Sequence, residues 1–185
     1  MNLSEQDWKS FKSLDLGCGC GRHVKFLDEF ELEPYGCDLS EVAINLGKEW
    51  FRHIGNEKLV QRLFVANVAE LPYDSDFFTI CVSHGVLDSM PREIAMKGIA
   101  EAIRCLKSGG LMYFDLILDE NNLSDKEEIQ DYGLEKDTVQ SYFTVTSIRN
   151  FIPKTADIVD FKIINWSDSG DVVFNKRAHV IIRKQ

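Results

Sequence analysis

The stretch LDLGCGCGR, residues 14–22, begins as an apolar strand and continues into a loop with glycine at every second position. Glycine tolerates positive φ and lets a ligand approach bare backbone, so Gly17, Gly19 and Gly21 indicate a loop built for close contact with a ligand. A dinucleotide-binding loop has the spacing G-x-G-x-x-G, and Arg22 occupies its last position here. The spacing therefore disfavours a nicotinamide cofactor. The alternative, a tight strand-to-helix turn without a ligand, leaves the later motifs unexplained.

The composition is that of an ordinary globular protein. The chain has 185 residues, of which 44% are hydrophobic and 28% charged. These values predict one packed domain over residues 1–185. The formal net charge of −9 disfavours a nucleic-acid partner, since binding to a phosphate backbone depends on clustered lysine and arginine.

Two further features bear on the cellular compartment. No apolar stretch approaches the length that a membrane span needs, and residues 1–11 are polar rather than signal-like. The five cysteines are an odd number, which suits reduced thiols. The sequence therefore predicts a cytoplasmic protein with no membrane partner.

Strand-like and helix-like segments alternate from Lys12 onward, which is typical of a parallel sheet covered by helices on both faces. The predicted helices are 21–30, 40–53 and 92–106, with a short one capped by Thr146 and closed by Pro153. The predicted strands are 12–16, 34–38, 63–68, 77–83, 111–118, 158–166 and 172–183. The expected fold is α/β, a Rossmann-like, doubly wound, seven-stranded and mostly parallel sheet with a C-terminal antiparallel hairpin.

Local signals set the ends of these elements. Ser40 is placed to cap the second helix, and Gly109-Gly110 to end the third. In the first helix the apolar spacing predicts that Val24, Leu27 and Phe30 face the core, with Phe26 one turn before Phe30.

From about Lys12 onward the chain resembles the class I S-adenosylmethionine-dependent methyltransferases. Four segments carry the resemblance, in the family's order and spacing. They are LDLGCGCGRH at 14–23, YGCDLS at 35–40, NVAELPY at 67–73 and CLKSGGLMYF at 105–114. Each segment alone is a weak signal, whereas the combination is specific. The resemblance implies methyltransferase activity, with S-adenosylmethionine as cofactor and S-adenosylhomocysteine as product.

The resemblance assigns the methionine part of the cofactor to the glycine loop and its neighbours. Gly17 and Gly19, with Cys18 between them, would lay bare backbone against it. Asp15, at the end of the first strand, would help to hold its amino group. Ser83, at the end of the fourth strand, would lie beside the methionine moiety.

The nucleoside part of the cofactor falls to the next two strands. Asp38 ends the second strand, where a carboxylate can accept hydrogen bonds from both ribose hydroxyls. Its alternative role, a helix cap, is already filled by Ser40. By resemblance, Leu39 would pack on the adenine face, and Asn67 and Val68 would recognise the adenine edge. Asn67 is equally well explained as a turn residue.

Methyl transfer needs a base only when the accepting atom starts protonated. His84, at the end of the fourth strand, is the first candidate because imidazole titrates near neutral pH. Its alternative role is to pack beside the cofactor and shape the pocket. Asp88, one helical turn further on, is the second candidate, and its alternative role is to cap the segment before Pro91.

Cys18, Cys20, His23 and Cys37 lie close enough in sequence to raise the question of a metal. Tetrahedral zinc sites usually place about two to four residues between paired cysteines, whereas one residue separates Cys18 from Cys20. No metal site is expected.

Residues 119–142 are acidic and irregular, and they follow a strand that ends at the predicted ligand-binding edge. They are either a solvated face or a wall beside the substrate. Only 13 residues precede Leu14, whereas related enzymes usually carry a longer leading segment that covers the cofactor. The lid is then supplied by residues 119–142, supplied by a partner subunit, or missing, and the oligomeric state stays open.

The acceptor has no recognisable signature. The sequence after the fourth strand is Ser83-His84-Gly85-Val86, not the Asn-Pro-Pro-Tyr type that suggests an amino-group acceptor in nucleic acid or protein. The expected function is therefore methyl transfer to a small-molecule acceptor. The alternatives are a protein that binds the cofactor without catalysis and, with Arg22 against it, a nicotinamide-dependent oxidoreductase.

Overall fold

The computed structural model describes residue 9 and residues 11–119, 121, 123–131, 137–166 and 175–185. Its helices are α1 (Arg22–Glu29), α2 (Glu41–His53), α3 (Glu57–Val60), α4 (Arg92–Cys105) and α5 (Val145–Phe151). Its strands are β1 (Lys12–Leu16), β2 (Glu33–Asp38), β3 (Leu63–Val65), β4 (Phe78–Ser83), β5 (Leu106–Ile117), β6 (Lys126–Ile129), β7 (Val139–Tyr142), β8 (Ala156–Trp166) and β9 (Asn175–Lys184).

Seven strands form one sheet in the order β3-β2-β1-β4-β5-β9-β8. The first five run parallel, and β9 runs antiparallel to both β5 and β8. The predicted mostly parallel sheet with a C-terminal antiparallel hairpin is confirmed. Strand order reverses between β1 and β4, which is where open α/β sheets bind their ligands, at the carboxyl ends of the strands.

Apolar side chains are buried on both faces of the sheet. On one face the core joins β5 to α4 and α5, with Met112, Phe114 and Ile99 among its fully buried members. On the other face a smaller cluster packs α1 and α2 against the sheet through Val24 and Ile44. Near-continuous apolar runs form the central strands because both of their faces are covered.

Helix caps explain two of the boundaries. Ser40 Oγ accepts a hydrogen bond from Ala43 N at 3.2 Å, so the predicted cap of α2 is confirmed. The cap of α5 was predicted at Thr146, and this is wrong. Thr144 caps the helix instead, because its side chain and that of Ser147 each accept from the other's backbone N–H.

The predicted end of α4 at residue 106 agrees with the structure to within one residue, but the predicted role of Gly109-Gly110 in ending the helix is wrong. The helix stops at Cys105, because Leu106 is already extended, and Gly109-Gly110 lie inside β5. Pairing between β4 and β5 shifts register between Phe78 and Ile80, opposite these glycines.

Two differences concern the surface. Phe30 was predicted to be buried, but it is more than half exposed, and Val24 is the buried residue of α1. The acidic segment after β5 contains the antiparallel hairpin β6–β7, which the sequence did not predict. The predicted start of the last strand, residues 172–174, lies outside the described residues. In the described part of the chain, no helix has both the length and the apolar character for crossing a membrane.

Candidate functional site

The glycine loop joins β1 to α1 at the reversal point of the sheet. The backbone N–H groups of Gly17 and Cys18 both donate to Cys37 O, at 2.8 and 2.9 Å. Gly21 N donates to Cys18 O at 2.9 Å and begins α1 in the left-handed conformation. Gly17 and Gly19 also have positive φ, at 78° and 53°. The loop is therefore fixed to the end of β2 in a conformation that favours glycine.

The two glycines expected to face the cofactor differ in their surroundings. A Cβ at Gly17 would collide with the side chain of Val86, which follows β4. The group that closely approaches the backbone at Gly17 is thus the Val86 side chain of the protein itself. A Cβ at Gly19 would meet nothing within 4 Å, so the open backbone of the loop is at Gly19.

Asp38 connects this loop to α2. Its Oδ2 accepts from Gly19 N and its Oδ1 from Ser40 N, both at 2.8 Å. Each carboxylate oxygen has a second lone pair, so the group retains capacity for two hydroxyl donors. Leu39 is 72% exposed, and Val65, the register partner of Asp38 in β3, is half exposed. An apolar surface therefore lies next to a hydrogen-bond acceptor, as a nucleoside requires.

Asn67 forms a turn. Its Oδ1 accepts from Ala69 N at 2.9 Å, while its amide nitrogen has no hydrogen-bond partner in the described part of the chain. Val68 buries its side chain against Gly98 of α4. A ligand contact by Val68 would therefore use its backbone, as the resemblance implies.

Asp15, the penultimate residue of β1, is a buried carboxylate without hydrogen bonds. It is 1% exposed, and neither of its oxygens has a hydrogen-bond partner among the residues that the structure describes. The imidazole of His23 on α1 lies nearby, with its Nδ1 3.7 Å from Oδ1. Burial raises the pKa of Asp15 in spite of this contact. A buried polar group without partners calls for an explanation, and a cationic ligand supplies one. The site thus fits the amino group of S-adenosylmethionine.

Ser83 uses its hydroxyl inside the protein. Its Oγ donates to Leu16 O at 3.1 Å, and the residue is buried. The bond ties the end of β4 to the end of β1, which keeps the two strands that flank the reversal point in register.

His84 follows Ser83 and lies against a second buried carboxylate. Its Nδ1 is 3.1 Å from Oδ1 of Asp115, which also accepts from Gly85 N at 2.8 Å. Asp115 is 0% exposed, whereas the side chain of His84 is 45% exposed. Burial alone would raise the pKa of Asp115, but the Gly85 N–H and the charge of Arg177 outweigh it and hold the pKa below its ordinary value.

Arg177 of β9 lies behind Asp115 and links it to Asp88. Its Nε donates to Asp115 Oδ2 at 2.6 Å, and its Nη2 lies 2.9 Å from Asp88 Oδ2. Asp88 is buried, and burial raises its pKa although Arg177 opposes the shift. Asp88, the second catalytic candidate, thus lies in the interior. Arg177 and Asp115 separate it from His84.

Other rings surround His84. The ring centroid of His23 is 5.7 Å away and that of Tyr113 is 6.3 Å away. Tyr113 Oη and His179 Nδ1 are hydrogen bonded at 2.7 Å, and burial lowers the pKa of His179. His23, beside Asp15, and His84, beside Asp115, therefore face each other across the carboxyl ends of β1 and β4.

The β6–β7 hairpin packs on the loop that follows His84. Ser141 N donates to Asp88 O at 2.7 Å, and Ser141 Oγ donates to Met90 O at 2.6 Å. Glu127 accepts from Arg92 N at 2.8 Å, at the start of α4. The acidic segment is thus attached beside the candidate site.

Sequence reasoning missed the parts of this site that are distant along the chain. Asp115 was visible only as a charge interrupting the apolar run 111–118, and His23 only as a possible metal ligand. Arg177 gave no functional signal, because its partner lies 62 positions away. Among the described residues, no group of three or more His, Cys, Asp or Glu side chains is arranged to hold a metal ion.

Comparison with known proteins agrees with this geometry. A family model described as a methyltransferase domain matches residues 14–114, more than half of the chain. An uncharacterised protein of Haemophilus influenzae is 33% identical over 104 residues, which are 55% of this chain and 40% of that protein. The aligned part is thus well under half the length of that relative.

Solved structures show the same fold. A protein of Methanosarcina mazei described as a SAM-dependent methyltransferase superimposes with a TM-score of 0.78 at 19% identity, covering 95% of this chain and 93% of its own. The 1,6-didemethyltoxoflavin-N1-methyltransferase of Burkholderia thailandensis, with bound 1,6-didemethyltoxoflavin and S-adenosylhomocysteine, gives a TM-score of 0.74 at 16% identity, covering 95% and 72%. With the family match over its first five strands and the fold of these neighbours, the chain belongs to the class I S-adenosylmethionine-dependent methyltransferases.

Proposed function

We propose that this chain transfers a methyl group from S-adenosylmethionine to a small-molecule acceptor, and that residues 1–185 act as one domain. The observation that carries the proposal is Asp15. Its carboxylate is buried beside the glycine loop with no hydrogen-bond partner in the described part of the chain, in the position where the family holds the amino group of the cofactor. A folded chain retains such an unfavourable group when a ligand stabilises it.

The remaining cofactor contacts follow the loop and the next two strands. The backbone at Gly19 lies against the methionine part, the carboxylate of Asp38 accepts from the ribose, and Leu39 covers the adenine face. Asn67 and Val68 bind the adenine edge through amide and backbone groups. Cys18 and Ser83 support these positions from inside the protein, through the bonds that fix the loop and the end of β4.

S-Adenosylmethionine, when bound, supplies a methyl group on a sulfonium with a good leaving group. The protein then mainly aligns the acceptor and excludes water. His84 is half exposed at the carboxyl end of β4 and is the proposed general base for acceptors that start protonated. Asp88, held in the interior by Arg177, supports the site instead of touching the acceptor.

The acceptor is proposed to be small and neutral or cationic. The β6–β7 hairpin packs on Asp88 and Met90 in the loop that follows His84 and carries Glu127 and Glu128, of which Glu128 is paired with Lys126. These carboxylates disfavour an anionic acceptor. The Burkholderia thailandensis neighbour was crystallised with bound 1,6-didemethyltoxoflavin, which supports a small-molecule acceptor.

A reducing compartment such as the cytoplasm is proposed as the location. All five cysteines are free thiols, and only Cys20 is exposed. Thiols in this state suit a reducing environment.

The first test is calorimetric titration with S-adenosylhomocysteine, S-adenosylmethionine and NAD. We expect micromolar binding of both adenosyl ligands and none of NAD, with Asp38→Ala weakening binding at least about tenfold. Because Asp38 also holds Gly19 N–H, circular dichroism must show that the variant is folded. Asp76→Asn is the matched control, since Asp76 precedes β4 at the opposite end of the sheet. Absence of binding by the folded wild type would reduce the proposal to a statement about fold.

The second test is turnover. Purified protein with S-adenosylmethionine carrying a labelled methyl group is incubated with neutral, cationic and carboxylate small molecules, and S-adenosylhomocysteine release is measured. His84→Ala should lower turnover by roughly 100-fold while cofactor affinity changes less than about threefold. Equal loss of both would limit His84 to shaping the pocket. Tight cofactor binding with no turnover on any acceptor would favour a binding protein.

A further inference from the structure

The contacts of Asp115 account for both of its oxygens. Oδ1 lies 2.8 Å from Gly85 N and 3.1 Å from His84 Nδ1, and Oδ2 lies 2.6 Å from Arg177 Nε. Two of these partners, the backbone N–H and the guanidinium, are donors in every protonation state. The carboxylate is therefore ionised and accepts only. A hydrogen bond across the 3.1 Å between Asp115 Oδ1 and His84 Nδ1 then takes its hydrogen from the imidazole.

That requirement decides the tautomer of His84. A neutral imidazole carries one hydrogen, on Nδ1 or on Nε2. The contact with Asp115 favours the form with hydrogen on Nδ1, since the other form would place two lone pairs against each other. Nε2 is then an acceptor, on a side chain of which 45% is exposed. In this form the second ring nitrogen of His84 accepts a proton instead of donating one.

Asp115 is itself held in place from two parts of the chain, strand β9 and the loop that follows β4. Arg177 comes from β9, where it is paired with Ile117 of β5. Its Nη2 is held by Asp88, 2.9 Å away and buried. Gly85 adopts a φ of 67°, which aims its N–H at Asp115. The carboxylate cannot turn away from His84 without breaking at least one of these contacts.

We propose that Asp115, held by Arg177 and Asp88, is a positioning residue that fixes His84 as the Nδ1–H tautomer, so that Nε2 takes the proton of a hydroxyl or N–H acceptor. The inference rests on the proposed function and narrows its substrate class to acceptors that must lose a proton. The proton leaves the acceptor, binds Nε2, and is returned to water from the imidazolium. Asp115 stabilises the imidazolium by its charge and does not itself become protonated.

The experiment is a measurement of the tautomer, and it needs no acceptor. Protein labelled with ¹⁵N-histidine is studied by long-range ¹H–¹⁵N correlation near pH 8.5, roughly two units above the ordinary titration of imidazole. The chain has four histidines, and the signals of His84 are assigned with His84→Gln. We expect the Nδ1–H form to dominate in the wild type, free or saturated with S-adenosylhomocysteine.

Two variants separate positioning from general support. Asp115→Asn should lose the Nδ1–H preference, because an amide also donates and holds the opposite tautomer. Asp76→Asn removes an ion pair with Lys184 at the other end of the sheet and should leave His84 unchanged. Asn suits this control, since Asp76 has a φ of 60°, where Asn is well tolerated. The variant should bind S-adenosylhomocysteine within about twofold of the wild type.

The outcomes distinguish this inference from the proposed function. A wild-type spectrum dominated by the Nε2–H form overturns the inference, whether or not Asp115→Asn folds. An unchanged tautomer in folded Asp115→Asn overturns it as well. Failure of the wild type to bind S-adenosylhomocysteine overturns the proposed function, while the tautomer still decides whether Asp115 positions His84.

Discussion

Asp15 and Asp115 are two buried carboxylates at the same edge of the sheet, and their hydrogen-bonding surroundings are opposite. Asp15 lies next to the end of β1, neither of its oxygens has a hydrogen bond to a described residue, and its pKa is raised. Asp115 lies near the end of β5 with partners for both oxygens, and its pKa is lowered. Each lies beside a histidine, and the two rings are 5.7 Å apart.

The difference separates a group that waits for a ligand from a group that positions another side chain. A carboxylate with a structural role has its hydrogen-bond donors within the folded chain, as Asp115 has Gly85 and Arg177. A carboxylate that binds a cationic ligand lacks such donors in the free protein. Its burial then lowers the stability of the folded state until the ligand binds. The charge of Asp15 is therefore expected to contribute to binding and to oppose stability.

The largest effect is expected from removing Arg177, the cation that pairs with Asp115. Arg177→Gln leaves Asp115 and Asp88 buried without a counter-charge and should lower the free energy of unfolding by about 3 kcal/mol. Urea unfolding measures this loss. Adding Asp88→Asn to the same variant should restore part of it, because one of the two unpaired charges is then gone. Strictly additive losses would show that the two residues do not form one network.

The next largest effect is expected from replacing Asp15, whose carboxylate has no hydrogen-bond partner among the described residues. Asp15→Asn should weaken S-adenosylhomocysteine binding by about 50-fold, since the ligand's ammonium loses a buried counter-charge. The same variant without ligand should gain on the order of 1 kcal/mol of stability, a rise in melting temperature of roughly 2–4 °C. Calorimetry and thermal unfolding report the two changes separately. A lower melting temperature together with unchanged affinity would contradict the assignment of Asp15 to the ligand.

The pH dependence of stability should have opposite signs at the two sites. Asp115 has a lowered pKa, so its stabilisation is present at neutral pH and is lost only below its ordinary value of about 3.9. Asp15 has a raised pKa, so its penalty is present at neutral pH and disappears as pH falls through that raised value, above about 3.9. Urea unfolding of both Asn variants between about pH 3 and 8 tests this. Parallel curves for the two variants would remove the distinction.

The smallest effect is expected at His23. The Nδ1 of this residue lies 3.7 Å from Asp15 Oδ1, too far for a strong hydrogen bond. His23→Gln should lower stability by less than about 1 kcal/mol and change S-adenosylhomocysteine affinity by less than about threefold. Thermal unfolding and calorimetry again serve as readouts. If binding fell as far as in Asp15→Asn, His23 and not the ligand would be the partner that Asp15 requires.

Local patterns predicted most of the fold. The apolar run at Lys12–Leu16 forms the predicted strand, and the cap at Ser40 begins the predicted helix. Both depend on neighbours within a few positions. Where local signals competed, as between Thr144 and Thr146 or at Gly109-Gly110, the sheet and the packing decided. The β6–β7 hairpin lacked a strong apolar alternation, because all four residues of β6 are exposed.

The candidate site divides in the same way. Sequence by itself determined the glycine loop, the carboxylate at Asp38 and the position of His84, because each follows directly from a strand end. Only the tertiary structure decided that Asp15 lacks partners and that Asp115 has them. The antiparallel register of β5 and β9 brings Arg177 to Asp115 across 62 positions, and a shift by one residue would place it on the other face of the sheet. Charge pairing over that distance depends on register and burial, which a linear pattern does not encode.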